Sequence, residues 1–185
     1  MSNKQLPVAV ITMENGLVMR LELYPEQAPI SVANFADLAN TGYYDGLAFH
    51  RVVKGYVIQG GSTTNACTGD DPGFTIKGEF AQNGVDTGLS HRRGALSMAR
   101  DDDPDSASAQ FFIVHQDAFK LDGRYAAFGQ LLEEGGFAVL DSIAQVPTLS
   151  PEEENRPLTP QVIRTIRVEP GDYDLAAPVR IVSSL

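Results

Sequence analysis

A single cysteine, Cys67, in 185 residues excludes an intrachain disulfide. Cations are scarce as well: 14 Lys and Arg stand against 24 Asp and Glu, a net charge of −10. That balance disfavours nucleic acid or an anionic membrane surface as the main partner, because phosphate binding needs clustered Lys and Arg. No apolar run approaches the roughly 18 residues needed to cross a bilayer. The opening Met1-Ser2-Asn3-Lys4-Gln5-Leu6-Pro7 lacks the basic and then apolar stretch of a secretory signal, so none is expected. With the lone cysteine, this favours a reducing, cytoplasmic setting. Three dispersed histidines give no zinc-site spacing. There is no Gly-Lys-Ser/Thr phosphate loop and no Gly-x-Ser-x-Gly elbow. The run Asp101-Asp102-Asp103-Pro104-Asp105 lacks the glycine and distal glutamate of a calcium loop, and reads as a solvated acidic turn. No metal and no cofactor is expected.

What is present is an ordinary globular composition, 43% hydrophobic, enough for one domain with a real core. Val8 to Met13 and Leu17 to Leu23 read as strands joined by Glu14-Asn15-Gly16, a hairpin signal. Pro29 suits a first helical turn, and Val32, Phe35, Ala36 and Ala39 follow at helical spacing. Residues 62–93 carry no long period and read as an extended loop with one short strand at Phe74-Thr75-Ile76. Strands are expected at 95–99, 110–114 and 126–132, a second helix near 137–144, and a last strand from Gln161 to Val168. Pro151 to Pro157 reads as a solvated turn.

One arginine interrupts the apolar run Phe49-His50-Arg51-Val52-Val53-Lys54-Gly55-Tyr56-Val57-Ile58-Gln59-Gly60-Gly61. A permanent charge is costly to strip of water, so Arg51 is either paired or lines a cleft where a substrate supplies the acceptor. Three further blocks follow: Gly94-Ala95-Leu96-Ser97-Met98-Ala99-Arg100, Ala109-Gln110-Phe111-Phe112-Ile113, and Leu121-Asp122-Gly123-Arg124-Tyr125-Ala126-Ala127-Phe128-Gly129. Strand alternation puts Val57 with Gln59 on one face, and Gln110 with Phe112 on one face, sending Phe111 inward. His50 falls on the face opposite Arg51 and reads as structural, as do His91 and His115.

These four ordered blocks resemble the cyclophilins, the cyclosporin-type peptidyl-prolyl cis-trans isomerases, in a bacterial-like version and from about Val8 to Val168. The resemblance implies a mainly β fold, a closed eight-stranded antiparallel barrel capped by two helices. Residues 1–170 would form that domain and 171–185 a C-terminal extension or tail. It implies Arg51, Gln59 and Phe112 as catalytic residues. Tyr56, Val57, Ala99, Arg100, Gln110, Leu121 and Tyr125 would bind substrate. Expected partners are proline-containing peptides and unfolded proteins, met as a monomer. Tyr56 and Tyr125 stand where phenylalanine and histidine are usual in the family, and Arg100 where asparagine is. Lys120 replaces a tryptophan associated with cyclosporin, which implies weak cyclosporin binding. Lys54, Arg100, Lys120 and Arg124 fall in or beside the cleft blocks, so a positive rim that prefers acidic flanking residues is expected. A proline-peptide binding module with little turnover is the rival reading, but Arg51, Gln59 and Phe112 together favour the enzyme.

Overall fold

The computed structural model describes residues 3–69 and 72–182. Its strands are β1 (Val8–Met13), β2 (Val18–Leu23), β3 (Arg51–Val53), β4 (Val57–Gly60), β5 (Phe74–Thr75), β6 (Ala95–Met98), β7 (Phe111–Val114), β8 (Ala127–Leu131), β9 (Ile163–Glu169) and β10 (Ile181–Val182). Two helices, α1 (Pro29–Asn40) and α2 (Glu134–Ala144), join them. Eight strands make one curled antiparallel sheet in the order β3-β4-β7-β6-β8-β2-β1-β9, and β5 pairs separately with β10.

Strict alternation builds the sheet. In β1, Ala9, Ile11 and Met13 point into the core, and in β2, Met19, Leu21 and Leu23 do the same. Phe35 of α1, fully buried, meets Phe111 edge-on with ring centroids 5.4 Å apart, and meets Phe128 at 5.3 Å. Burying a ring of this size contributes about 2–3 kcal/mol. Helix α2 buries Val139, Leu140 and Ile143 and packs against β2, β3 and β4. Helix α1 has Pro29 in its first turn but no local side-chain cap. The buried Glu79 carboxylate caps it from afar, accepting from Ser31 N–H at 2.6 Å, Ile30 N–H at 3.1 Å and the Ser31 hydroxyl at 2.7 Å. A carboxylate at a helix N-terminus satisfies orphan N–H groups and complements the helix dipole.

The expected closed barrel needs one correction. The edge strands β3 and β9 do not pair as strands. The Val52 N–H on the outer edge of β3 instead donates to the Asn155 carbonyl at 3.1 Å, so the 151–157 turn takes a place a strand would fill. The gap is spanned by one bridge, Ala48 with Val162, flanked by Phe49 N–H to Gln161 O at 3.0 Å and Ile163 N–H to Leu47 O at 2.8 Å. The sheet is therefore a curled, nearly closed barrel.

Segment 171–182 lies along the body of the protein. Asp172 accepts from the Gln5 N–H at 2.7 Å, the Tyr173 hydroxyl donates to Glu26 at 3.0 Å, and Leu175 packs against the core.

Candidate functional site

Four strands bring the site together through register alone. Arg51 on β3 faces Gln59 on β4, Gln59 faces Phe112 on β7, and Phe112 faces Ser97 on β6. Directly opposed residues of antiparallel strands share a face, so these four form one row across the sheet. That face lies away from the core: Phe111 is in the main core, while Phe112 joins Val57, Ala95, Val114 and Leu121 in a second apolar cluster. Gly61, with φ +93°, lets β4 run this close. A Cβ there would meet the Ala109 carbonyl oxygen at 2.7 Å, just before Gln110.

Hydrogen bonds lock the polar half of the row. Arg51 Nη1 donates to Gln59 Oε1 at 3.2 Å, Gln59 Nε2 to Gln110 Oε1 at 3.0 Å, and Gln110 Nε2 to the Cys67 carbonyl at 3.3 Å. Each amide is thereby held in one orientation, and the guanidinium keeps further N–H groups for a ligand. The apolar half is a pocket of about 140 Å³ lined by Arg51, Tyr56, Val57, Gln59, Ala99, Arg100, Phe112, Leu121 and Tyr125. Nine of the ten residues singled out in the sequence thus meet at one cavity. The tenth, Gln110, lines an adjoining groove of about 380 Å³ that shares Gln59, Ala99 and Arg100 and extends to Thr68, Phe74 and Thr75.

The walls are braced from behind. The Tyr125 ring meets Phe112 edge-on at 5.8 Å, and Lys120 Nζ lies 4.4 Å over the Tyr56 ring. Arg100 lies between Phe80 and Tyr125, 4.9 and 4.8 Å from their ring centroids. Its Nε and Nη2 both donate to the Arg124 carbonyl, at 3.0 and 2.8 Å, and its Nη1 to the carbonyls of Asp101 and Asp102. The side chain is a staple between two loops, with its N–H groups taken by backbone carbonyls. Lys120 and Arg124 line a neighbouring groove, but Asp101 and Asp102 line it too, and the expected positive rim is a mixed one.

Sequence reasoning missed the support under Phe112. His91, almost fully buried, stacks on the Phe112 ring at 6.0 Å and 21°. Asp122 accepts from the His91 backbone N–H at 2.7 Å and contacts Nδ1 at 2.8 Å, while Nε2 lies 2.9 Å from the Ser97 hydroxyl. Nδ1 therefore carries the proton and Nε2 accepts. Burial holds this imidazole below its ordinary value of 6.5 against the opposing pull of Asp122, and His50 is likewise held down, first of all by burial. The Tyr56 hydroxyl is pushed up, by burial and then by Tyr125. Ser97 and Asp122 fall inside the second and fourth sequence blocks, but nothing local in the sequence pairs either with His91. His115 accepts from the Gly55 N–H at 2.8 Å and contacts Asp141, tying down the Lys54-Gly55 turn.

Nothing in this arrangement is a nucleophile poised for covalent chemistry. The arrangement sets the rings of Tyr56, Phe112 and Tyr125 beside the Arg51 guanidinium, which is held by Gln59. Among known proteins, residues 8–168 match the cyclophilin-type peptidyl-prolyl cis-trans isomerase family. Peptidyl-prolyl cis-trans isomerase B of Bacillus subtilis is 47% identical over 126 residues, covering 68% of this chain and 84% of the relative. A peptidyl-prolyl cis-trans isomerase of Helicobacter pylori is 43% identical over 125 residues, covering 68% and 73%. The crystal structure of a Cryptosporidium parvum cyclophilin-type isomerase, determined in the presence of the dipeptide Ala-Pro, superposes with a TM-score of 0.76 at 30% identity, covering 88% of this chain and 98% of that one. The chain belongs to the cyclophilin family and is a peptidyl-prolyl cis-trans isomerase.

Proposed function

We propose that the 140 Å³ pocket seats the proline ring of an X-Pro unit and that Arg51 is the donor that speeds its rotation. The planar amide resists rotation with a barrier of roughly 18–20 kcal/mol, because turning breaks its resonance. In the twisted state the proline nitrogen becomes pyramidal and regains a lone pair. A donor aimed there stabilises the twisted amide and not the planar one, which is differential binding of a transition state. The Arg51 guanidinium offers a planar fork of N–H donors and is pinned by Gln59, so little reorganisation is needed as the lone pair appears. Phe112, Val57 and Leu121, each at least 93% buried, exclude water from the ring. Gln59 and Gln110 then hold flanking carbonyls or keep each other in register. A 10⁵-fold acceleration asks for about 7 kcal/mol. The observation that carries this reading is the cross-strand row Arg51–Gln59–Phe112 beside a small cavity walled in part by Val57, Phe112 and Leu121.

The same reading takes proline-containing peptides and folding proteins as substrates, met as a monomer in a cytoplasmic setting. Support comes from the single cysteine and from the absence, among the described residues, of any helix long and apolar enough to cross a membrane. Cyclosporin binds weakly, because Lys120 occupies a position where the family commonly has tryptophan. Titration with an Ala-Pro peptide while amide chemical shifts are recorded tests the site. Shifts centred on β3, β4 and β7, together with exchange broadening from catalysed isomerisation, are expected. Shifts centred elsewhere would overturn the assignment.

A further inference from the structure

The segment beyond the family match reaches back to the substrate side of the molecule. Strand β10 pairs with β5, Ile181 opposite Thr75 and Val182 opposite Phe74. The preceding residue, Arg180, lies with its guanidinium carbon 4.1 Å over the Phe74 ring. Its Nε donates to Asn34 Oδ1 at 3.0 Å and its Nη2 to Asp37 Oδ2 at 2.9 Å, both on α1. Phe74 and Thr75 are in turn lining residues of the 380 Å³ groove that opens beside the proline pocket. A two-residue strand cannot hold itself in place, so β5 takes its position from what it pairs with. Its other ties are the Ile76–Ala107 bridge and the packing of Phe74 against the main core.

We infer that Arg180 is a positioning residue for substrate binding: with β10 it fixes Phe74 and Thr75, and so shapes the groove that receives residues flanking the proline. The inference rests on the pocket at Arg51 being the isomerase site. Arg180 is anchored on a rigid helix at one end and on a ring of the groove wall at the other, and it touches no part of the proline pocket itself. Its loss therefore acts on binding of extended peptides and leaves rotation of the bound amide alone.

The test uses the full chain and two peptides, a minimal Ala-Pro substrate and a longer one with large side chains on both flanks of proline. Arg180→Ala is expected to raise KM for the longer peptide about three- to fivefold, the scale of one lost partly exposed cation–π contact. kcat for both peptides and KM for the minimal one stay at wild-type values. Arg180→Lys, which keeps a cation near Phe74 but loses the two-pronged anchor on Asn34 and Asp37, recovers only part of the loss. Unchanged KM for the longer peptide in an active Arg180→Ala protein would overturn the inference alone. So would a parallel loss on both peptides with a lowered melting temperature, which marks a purely structural tie. A folded wild type without turnover on either peptide would overturn the isomerase site and this inference with it.

Discussion

Arg51 and Gln59 sit opposite each other on neighbouring strands, and the guanidinium Nη1 donates to the amide Oε1 at 3.2 Å. The amide in turn is fixed by Gln110, so the cation of the pocket is oriented before any substrate arrives. Cutting this link should weaken catalysis more than binding. Gln59→Leu is expected to lower kcat about tenfold, a loss of about 1.4 kcal/mol in transition-state stabilisation, with KM within twofold of wild type. Steady-state kinetics on an Ala-Pro peptide decide it, and a rise in KM at constant kcat would contradict a role in orienting Arg51.

Arg100 should act as a fork, not as a charge. Its two bonds to the Arg124 carbonyl, and its place between Phe80 and Tyr125, need a planar guanidinium. Arg100→Lys should therefore impair substrate binding almost as much as Arg100→Ala, with KM raised about threefold in each, since a lysine cannot reproduce the fork. Full recovery by lysine would show that charge alone matters at this position.

Stability should fall in acid in two steps. His50 and His91 are both held below 6.5 in the folded protein, in each case first of all by burial. Above pH 6.5 both rings are neutral folded or unfolded, and their contribution is complete. As pH drops below 6.5 the unfolded chain takes up protons that the folded one refuses, so stability declines towards the lowered folded values. A second loss follows through and below 3.8, where Asp45 and Asp141 lie depressed, each chiefly by its arginine partner, Arg167 and Arg93. Urea midpoints between pH 7.5 and 5 test the first step, and an unchanged midpoint over that range would contradict it.

Lys120 should govern cyclosporin affinity. Its ammonium covers the Tyr56 ring at 4.4 Å, where a flat apolar partner could stack instead. Lys120→Trp is expected to tighten cyclosporin at least about tenfold while proline turnover changes little. Nanomolar inhibition of the wild type would contradict this account.

The choice of site residues came from family resemblance; what the sequence itself offered was which of them share a face. Alternation along β4 and β7 separates Gln59 and Phe112 from Ile58 and Phe111, and register then aligns the row. The strands from β1 to β9 were placed to within two residues, since each carries period-two burial or a continuous apolar run, whereas β10 fell in the stretch read as a tail. The order of the strands came from family resemblance, because periodicity does not say which edges meet. The edge at β3 shows why the closed barrel was overstated: a backbone carbonyl of Asn155, invisible to any hydropathy pattern, takes its outer N–H. Three supports were out of reach for the same reason. Glu79 caps a helix 48 residues away, Asp122 anchors His91 31 residues away, and Arg180 reaches Asp37 across 143. Each is a polar side chain of ordinary local character whose partner is chosen by tertiary packing. Glu154, read as part of a solvated turn, accepts from the Cys67 N–H at 3.1 Å and steadies the loop that holds Gln110.

The most direct measurement is the isomerisation rate of an Ala-Pro peptide with wild type, Arg51→Ala and Arg51→Lys, each checked for folding by circular dichroism. Rapid turnover by the wild type and a fall of at least about a hundredfold, near 2.7 kcal/mol, in folded Arg51→Ala are expected. Arg51→Lys should fall between them, since it restores the charge without the fixed fork. A folded Arg51→Ala protein that keeps wild-type turnover would contradict the assignment of Arg51 as the donor to the twisted amide.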